Sequence, residues 1–277
     1  PFWLKVYGSK LKTDVSSRFI SISCVMSGEG EGIVITKPGG WQLDHIGLAV
    51  NNLERGVAKV EELTGAQPNL HPPEPGAPFQ SASLKIGEKS FLEILGPNPS
   101  HSGFHPLKSL LRSMPPNELT LWFWYVGTDN FEKFEAKVVK AGRCIENKVA
   151  QDDPGTSGEH STYLRGMIGP GFDPVYPNAI QWKTPPTIEA KDVPMCPMLD
   201  FKVIAADKSA VAEFFQQVGI STSHLQQSED GKSYLALTIQ APKGDIQFKS
   251  EARKVTNMGV LKTCLADLLG ACVCCPA

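Results

Sequence analysis

The sequence predicts an α+β fold of repeated βαβββ units, and three observations carry that prediction. A strand-like opening is written three times, at Leu43-Asp44-His45-Ile46-Gly47-Leu48-Ala49-Val50, at Leu121-Trp122-Phe123-Trp124-Tyr125-Val126 and at Leu199-Asp200-Phe201-Lys202-Val203-Ile204. Each opening is followed by a segment that starts with Asn or Asp and stops at Gly (Gly65, Gly142, Gly219), the punctuation of a capped helix. Each unit then closes on a short strand, at Ser90–Leu95, Ala179–Trp182 and Asp245–Phe248.

In the first strand, alternation places Ile46, Leu48 and Val50 on one side and His45, Gly47 and Ala49 on the other. The helix from Asn51-Asn52-Leu53-Glu54 carries Val57, Val60 and Leu63 near one stripe, so the Ile/Leu/Val side packs beneath it. Phe79-Gln80-Ser81-Ala82-Ser83 opens the third strand, and Gln80 and Ser81 are candidate polar contacts to a ligand. In the closing strand Leu92 and Ile94 face the helix, which leaves Glu93 opposite, with Phe91 and Leu95. His45 and Glu93 thus share one surface. A carboxylate among apolar neighbours is costly unless paired or bound to a metal, and imidazole with carboxylate suits a divalent ion.

Pro-rich linkers follow, Gly96–Asn117 with a short helix around Leu107–Arg112, and later Pro185–Pro197. In the second unit the helix runs from Asp129, the expected N-cap, to Gly142. The stretch Asp152–His160 reads as a surface loop before a strand at Ser161–Arg165. Arg165 is a candidate fork for an anionic group. His160 reads as solvent-facing, and so do His71, His101, His105 and His224. Trp122, Trp124 and Trp182 read as core, with pocket lining as the alternative. The third helix runs from Asp207 to Gly219. The resulting organisation is an N-terminal extension (1–40), a two-unit domain (41–185), a third unit (198–250) and a Cys-rich tail (251–277). An odd number of units leaves one sheet to pack on the other two or against its copy in a homodimer.

A length of 277 residues, 41% hydrophobic and 20% charged, belongs to an ordinary globular protein with room for a sizeable core. A net charge of −2 and no basic run give no field for nucleic acid. No stretch approaches the roughly 18 apolar residues of a membrane span. Seven cysteines, four of them in the last fourteen residues, do not form a secreted disulfide framework, so a reducing, cytoplasmic setting is expected. Residues 1–25, Ser-rich with four basic side chains against Asp14, read either as weak organellar targeting or as sequence upstream of a start at Met26. The clustered cysteines of the tail are too close together to close one tetrahedral zinc site, and palmitoylation is a second reading, but an irregular tail is the expected one.

The run Leu43–Val50, followed by Asn52-Leu53-Glu54 and Phe91-Leu92-Glu93-Ile94-Leu95-Gly96-Pro97, resembles the vicinal oxygen chelate superfamily, and more narrowly its glyoxalase-like domains. The resemblance covers about residues 41–250 and is most specific in the first unit. It implies that two βαβββ units curl into a cup that holds a divalent metal. The usual ligands are one His or Gln from the first strand and one Glu from the last strand of each unit. It implies a metal that chelates neighbouring oxygens of a substrate or its enolate, as in lyases, dioxygenases and epimerases, although some members only bind drugs.

Carried over, His45 and Glu93 match the first unit's ligands. In the second unit, alignment puts Phe123 at the place of His45 and Gln181 at that of Glu93; in the third, Phe201 and Gln247 stand there. The expected site is therefore His45, Glu93 and Gln181 around a divalent metal, with Gln80, Ser81, Phe123 and Arg165 contacting a small oxygen-rich ligand. Glu93 is ligand and base, and the chemistry is metal-assisted proton transfer or lyase chemistry beside a carbonyl. The alternative is a metal-free cup, made apolar by Phe123, that binds or sequesters a small molecule.

Overall fold

The computed structural model describes residues 42–73, 76–154, 160–170, 173–184 and 194–250, without the side chains of 151–154, 160 and 161. The expectations for residues 1–40 and 251–277 and for the His160 side chain fall outside the described residues.

The first unit runs β1 (Gln42–Ala49), α1 (Leu53–Thr64), β2 (Asn69–Leu70), β3 (Phe79–Lys85) and β4 (Phe91–Pro97). Asn52 starts α1 from an extended backbone and accepts a hydrogen bond from Arg55 N at 2.9 Å. Gly65, at φ 76°, ends it in the left-handed region that favours glycine. A linker helix α2 (Pro106–Ser113) leads to the second unit: β5 (Thr120–Gly127), α3 (Phe131–Lys140), β6 (Cys144–Pro154), β7 (His160–Gly169) and β8 (Asn178–Trp182). The cap of α3 is Asn130 rather than Asp129, with its side chain accepting from Lys133 N at 2.8 Å. Asp152–Pro154 and His160 belong to strands, so the expected loop there is narrower than its composition indicated. The third unit runs β9 (Met198–Ala205), α4 (Lys208–Val218), β10 (Leu225–Gln227), β11 (Tyr234–Ala241) and β12 (Gly244–Lys249).

The first two units make one eight-stranded sheet, ordered β2-β3-β4-β1-β5-β8-β7-β6. In each unit the closing strand lies parallel to the opening one, β4 on β1 and β8 on β5, and the two opening strands meet antiparallel at the centre. The third unit keeps the element order but not the strand order. Its sheet is β10-β9-β11-β12, so β12 sits at the edge and only β10 lies parallel to β9. Similar punctuation of strand and helix therefore encodes two different pairings.

One core lies on the helix side of the large sheet. Ile46, Leu48, Leu92 and Ile94 are fully buried there with Val60 of α1 and Phe134 of α3. The third unit joins this core. The Trp124 ring of β5 meets Phe201 at 5.4 Å and Phe215 at 5.9 Å, and its indole N–H donates to Pro174 O at 3.1 Å. Phe201 is thus buried between sheets, on no ligand-facing surface.

The opposite face is concave, as one contact requires. Arg165 of β7 and Phe79 of β3 are five strand spacings apart, about 24 Å in a flat sheet. Yet the guanidinium carbon is 5.9 Å from the Phe79 ring centre, so the sheet curls until its outer strands approach each other. Helix α2 fills part of this cup. Leu111 and Met114 are buried against Leu95, Ala49, Trp122, Phe123 and Ile180, with Leu107 and Leu110 beside them. Among the described residues, no helix is long and apolar enough to cross a membrane.

Trp124→Ala is expected to cost about 3–5 kcal/mol, because it empties a fully packed site between two sheets. Urea denaturation measures this. A loss below about 1 kcal/mol would mean that the third unit does not share the core.

Candidate functional site

What remains of the cup after α2 is seated is lined by β1, β3, β4, β5, β7 and β8. His45 and Glu93 face into it, with Nε2 and Oε2 3.8 Å apart. The imidazole is held between two rings, stacked on Phe91 at 4.7 Å and on Tyr125 at 4.2 Å. Glu93 is the more open of the pair, with 21% of its side chain exposed against 8% for His45. An incoming molecule therefore meets Glu93 first.

Asp44 joins them, against the expectation of strict alternation. The β1–β5 register shifts between Leu43 and His45, which leaves Asp44 without a cross-strand partner. Such a bulge lets two successive side chains share a face. Asp44 Oδ1 lies 2.6 Å from His45 Nδ1, and Oδ2 accepts from the indole N–H of Trp182 at 2.7 Å.

Arg165 enters from β7, beneath Tyr163 and opposite Phe79. It is half-buried and forms no ion pair among the described residues. Burial works against its charge, but the fields of Tyr125, Tyr163 and Glu93 outweigh it and hold the guanidinium above its ordinary value. Burial also pushes the Tyr125 phenol up, partly opposed by Arg165. The phenol is therefore a proton donor at neutral pH.

Phe123 forms the floor. It stands across the strand pair from Gly47, and a Cβ on Gly47 would lie 2.1 Å from Phe123 Cζ. The ring occupies the space that any side chain at position 47 would need. Ser81 and Ser83 lie on the cup side of β3, Ser83 directly beside Glu93 in register and hydrogen-bonded to His71 Nε2 at 2.9 Å. Gln80 has the opposite parity and shares its side of β3 with the fully buried Ala82 and Leu84, so it does not face the cup.

Gln181 is also misplaced by the sequence alignment. Its Oε1 accepts from Phe131 N at 2.9 Å and its Nε2 donates to Asp129 O at 3.0 Å, which ties it to the first turn of α3 on the other side of the sheet. The true counterpart of Glu93 follows from the backbone. Val50 N donates to Leu95 O, and the corresponding Thr128 N donates to Ile180 O. Glu93 is paired with Gly47, and Asn178 with Tyr125, where Gly47 and Tyr125 stand equally far before the caps Asn52 and Asn130. Asn178, a buried neutral amide, therefore takes the place of Glu93, and Phe123 that of His45.

These donors do not make a closed metal site. Two ligands about 2.1 Å from one ion lie about 3–4 Å apart, so His45 and Glu93 suit a shared ion. No group of three His, Cys, Asp or Glu able to hold a metal occurs among the described residues. Asp44 is engaged by His45 and Trp182, and the other half offers a phenyl ring and an amide. Two histidines outside the cup are tied into the fold rather than simply solvated: His105 caps α2 through Nδ1, and His224 Nδ1 bonds to Phe201 O.

The family model of the glyoxalase-like domain matches residues 43–219. No curated protein matches the chain. Among solved structures, a hypothetical protein from Staphylococcus aureus is 13% identical, with a TM-score of 0.46, over 76% of this chain and 84% of that one. A substituted 4-hydroxymandelate synthase from Streptomyces coelicolor is 13% identical, with a TM-score of 0.44, over 77% and 63%. A substituted methylmalonyl-CoA epimerase from the same organism, in complex with 2-nitronate-propionyl-CoA, is 16% identical, with a TM-score of 0.37, over 50% and 94%. At such values these structures say nothing about the chemistry of this cup.

Gln181→Ala removes a helix cap, and a loss of about 1 kcal/mol in urea denaturation is expected, with ligand and metal binding unchanged. A loss of binding at unchanged stability would return Gln181 to the site.

Proposed function

We propose, from the premise that this chain belongs to the family of glyoxalase-like domains, that its cup binds a small oxygen-bearing metabolite and moves a proton at a carbon next to its carbonyl. The observation that carries this reading is the convergence of His45, Glu93 and Arg165 on one concave surface lined by Phe91, Tyr125 and Trp182. The charge balance indicates the ligand. Asp44 and Glu93 outnumber Arg165, so a neutral or singly charged carbonyl compound is favoured over a multiply charged anion.

Glu93, the more open base, takes a proton from the carbon beside the carbonyl. The electron pair left behind moves into the enolate, whose oxygen faces the Arg165 guanidinium and the Tyr125 hydroxyl. Donors already in place at a developing oxyanion stabilise the transition state without reorganising. His45 Nε2 carries the proton to or from the second position, which makes the reaction an isomerisation or, with a leaving group on the next carbon, an elimination. A divalent metal on His45 and Glu93 would supply Lewis-acid chemistry, but the donors form only half a set, and no step here depends on it.

A second reading is a metal-free sequestering protein. Phe123 over Gly47 and the α2 side chains in the cup favour it, because they make the floor apolar. The cysteine usage supports a reducing, cytoplasmic setting for either reading.

The test is α-carbon hydrogen–deuterium exchange in D2O, followed by NMR over a panel of enolisable ketones, keto acids and keto aldehydes, beside metal content by mass spectrometry. Exchange is expected with the full chain and should fall about 100-fold or more in Glu93→Gln. Arg165→Lys should also weaken it, because a point charge does not replace the fork. Chelator-indifferent binding without exchange would establish the second reading, and no binding at all would overturn both.

The Tyr125 phenol has a pKa raised in the folded state, so the folded protein holds this proton more tightly than the unfolded chain. Its contribution to stability is fully present below about pH 10 and is lost as pH rises through the raised value. Denaturation midpoints should fall less steeply above about pH 10 in Tyr125→Phe than in the parent.

A further inference from the structure

We propose that Asp44 is a positioning residue that fixes the His45 tautomer, and that Trp182 of the second unit holds the other oxygen of its carboxylate. The inference rests on the proposed role of His45 as the proton carrier of the cup, but its test does not. An ionised carboxylate only accepts hydrogen bonds, so the 2.6 Å contact between Asp44 Oδ1 and His45 Nδ1 requires the proton on Nδ1. In the neutral ring Nε2, 3.8 Å from Glu93, is then the bare nitrogen that faces the cup. The competing tautomer would place N–H on Nε2 toward Glu93 at the longer distance and would leave lone pairs facing each other at 2.6 Å.

Trp182 orients the carboxylate that makes this choice. Its indole N–H is a donor only and holds Asp44 Oδ2 at 2.7 Å, across 138 residues of sequence. The Asp44 carboxylate, buried in the bulge of β1, can satisfy both donors because both of its oxygens accept. An amide at this position cannot. In Asp44→Asn the single carbonyl oxygen goes to the Trp182 donor, and the NH2 faces His45 Nδ1. Nδ1 must then accept, so the ring proton moves to Nε2, on the side of Glu93. Removing the indole in Asp44→Asn/Trp182→Phe frees the amide to turn, present its oxygen to Nδ1 and restore the original tautomer.

The experiment is 15N NMR of the histidine rings in the full chain at about pH 8.5, where free imidazole is neutral, with His45 assigned by its loss in His45→Gln. The parent should show a protonated-type shift at Nδ1 and an unprotonated-type shift at Nε2. Asp44→Asn should exchange the two, Trp182→Phe should leave the parent pattern, and the double variant should return to it. A parent with its proton on Nε2, an unchanged Asp44→Asn or an unrestored double variant would each overturn the proposal. The parent spectrum decides the tautomer even if a variant does not fold. Failure of the exchange assay with this pattern intact would count against the proposed reaction alone, not against the positioning role.

Discussion

The close approach of Phe123 to Gly47 is the constraint on which the site depends. At the centre of the sheet the two units meet through β1 and β5, and the absence of a side chain at 47 lets a whole ring lie on the opposite strand. Once Phe123 is seated there, Tyr125, two residues on, stands across from His45 and stacks on it. Phe91, paired with His45 on the other side, completes the sandwich. The imidazole therefore has its plane fixed by packing before any hydrogen bond is made. A ring held on both faces can turn only in its plane, and there Asp44 and Glu93 define its two edges.

The same ring also explains why the cup is asymmetric. A twofold arrangement would place donors on both sides of the floor, but Phe123 and Asn178 stand where His45 and Glu93 have their counterparts. A phenyl ring donates nothing to an ion, and a neutral amide offers only a weak oxygen. The first unit carries the ionisable pair, while the second supplies the cation Arg165, the phenol Tyr125 and the indole Trp182. Division of this kind suits proton transfer, which needs a base on one side of the ligand and a charge to meet the developing oxyanion on the other.

Much of this was legible in the sequence because strand alternation is a strict rule when both faces are covered. The shared face of His45 and Glu93 and the start of the third helix at Asp207 follow from period and punctuation alone, and Phe123 from aligning the second unit on the first. The failures share a cause. Asp44 was invisible because a bulge suspends alternation at one residue, and nothing in the sequence reports the missing cross-strand partner. Gln181 aligns with Glu93 only if β8 is set three residues out of register. An odd slip exchanges the faces, so it puts into the cup a residue that ties down α3. The third unit was legible as elements but not as a sheet, because strand order depends on which edge is free to pair, and caps do not encode that.

Coupling between the units follows from where their hydrogen bonds end. A histidine served by a carboxylate from its own strand would need nothing from the second unit. Here the carboxylate's other oxygen is claimed by Trp182 on β8, the strand that also positions Asn178 and Ile180 in the cup. A shift of β8 relative to β1 moves the indole and, through it, the Asp44 carboxylate that meets the imidazole. The curl of the sheet brings Arg165 of the same unit within reach of Phe79 on the far side. The tautomer itself rests on the Asp44 Oδ1 contact made within β1, so the second unit orients the carboxylate without placing the proton.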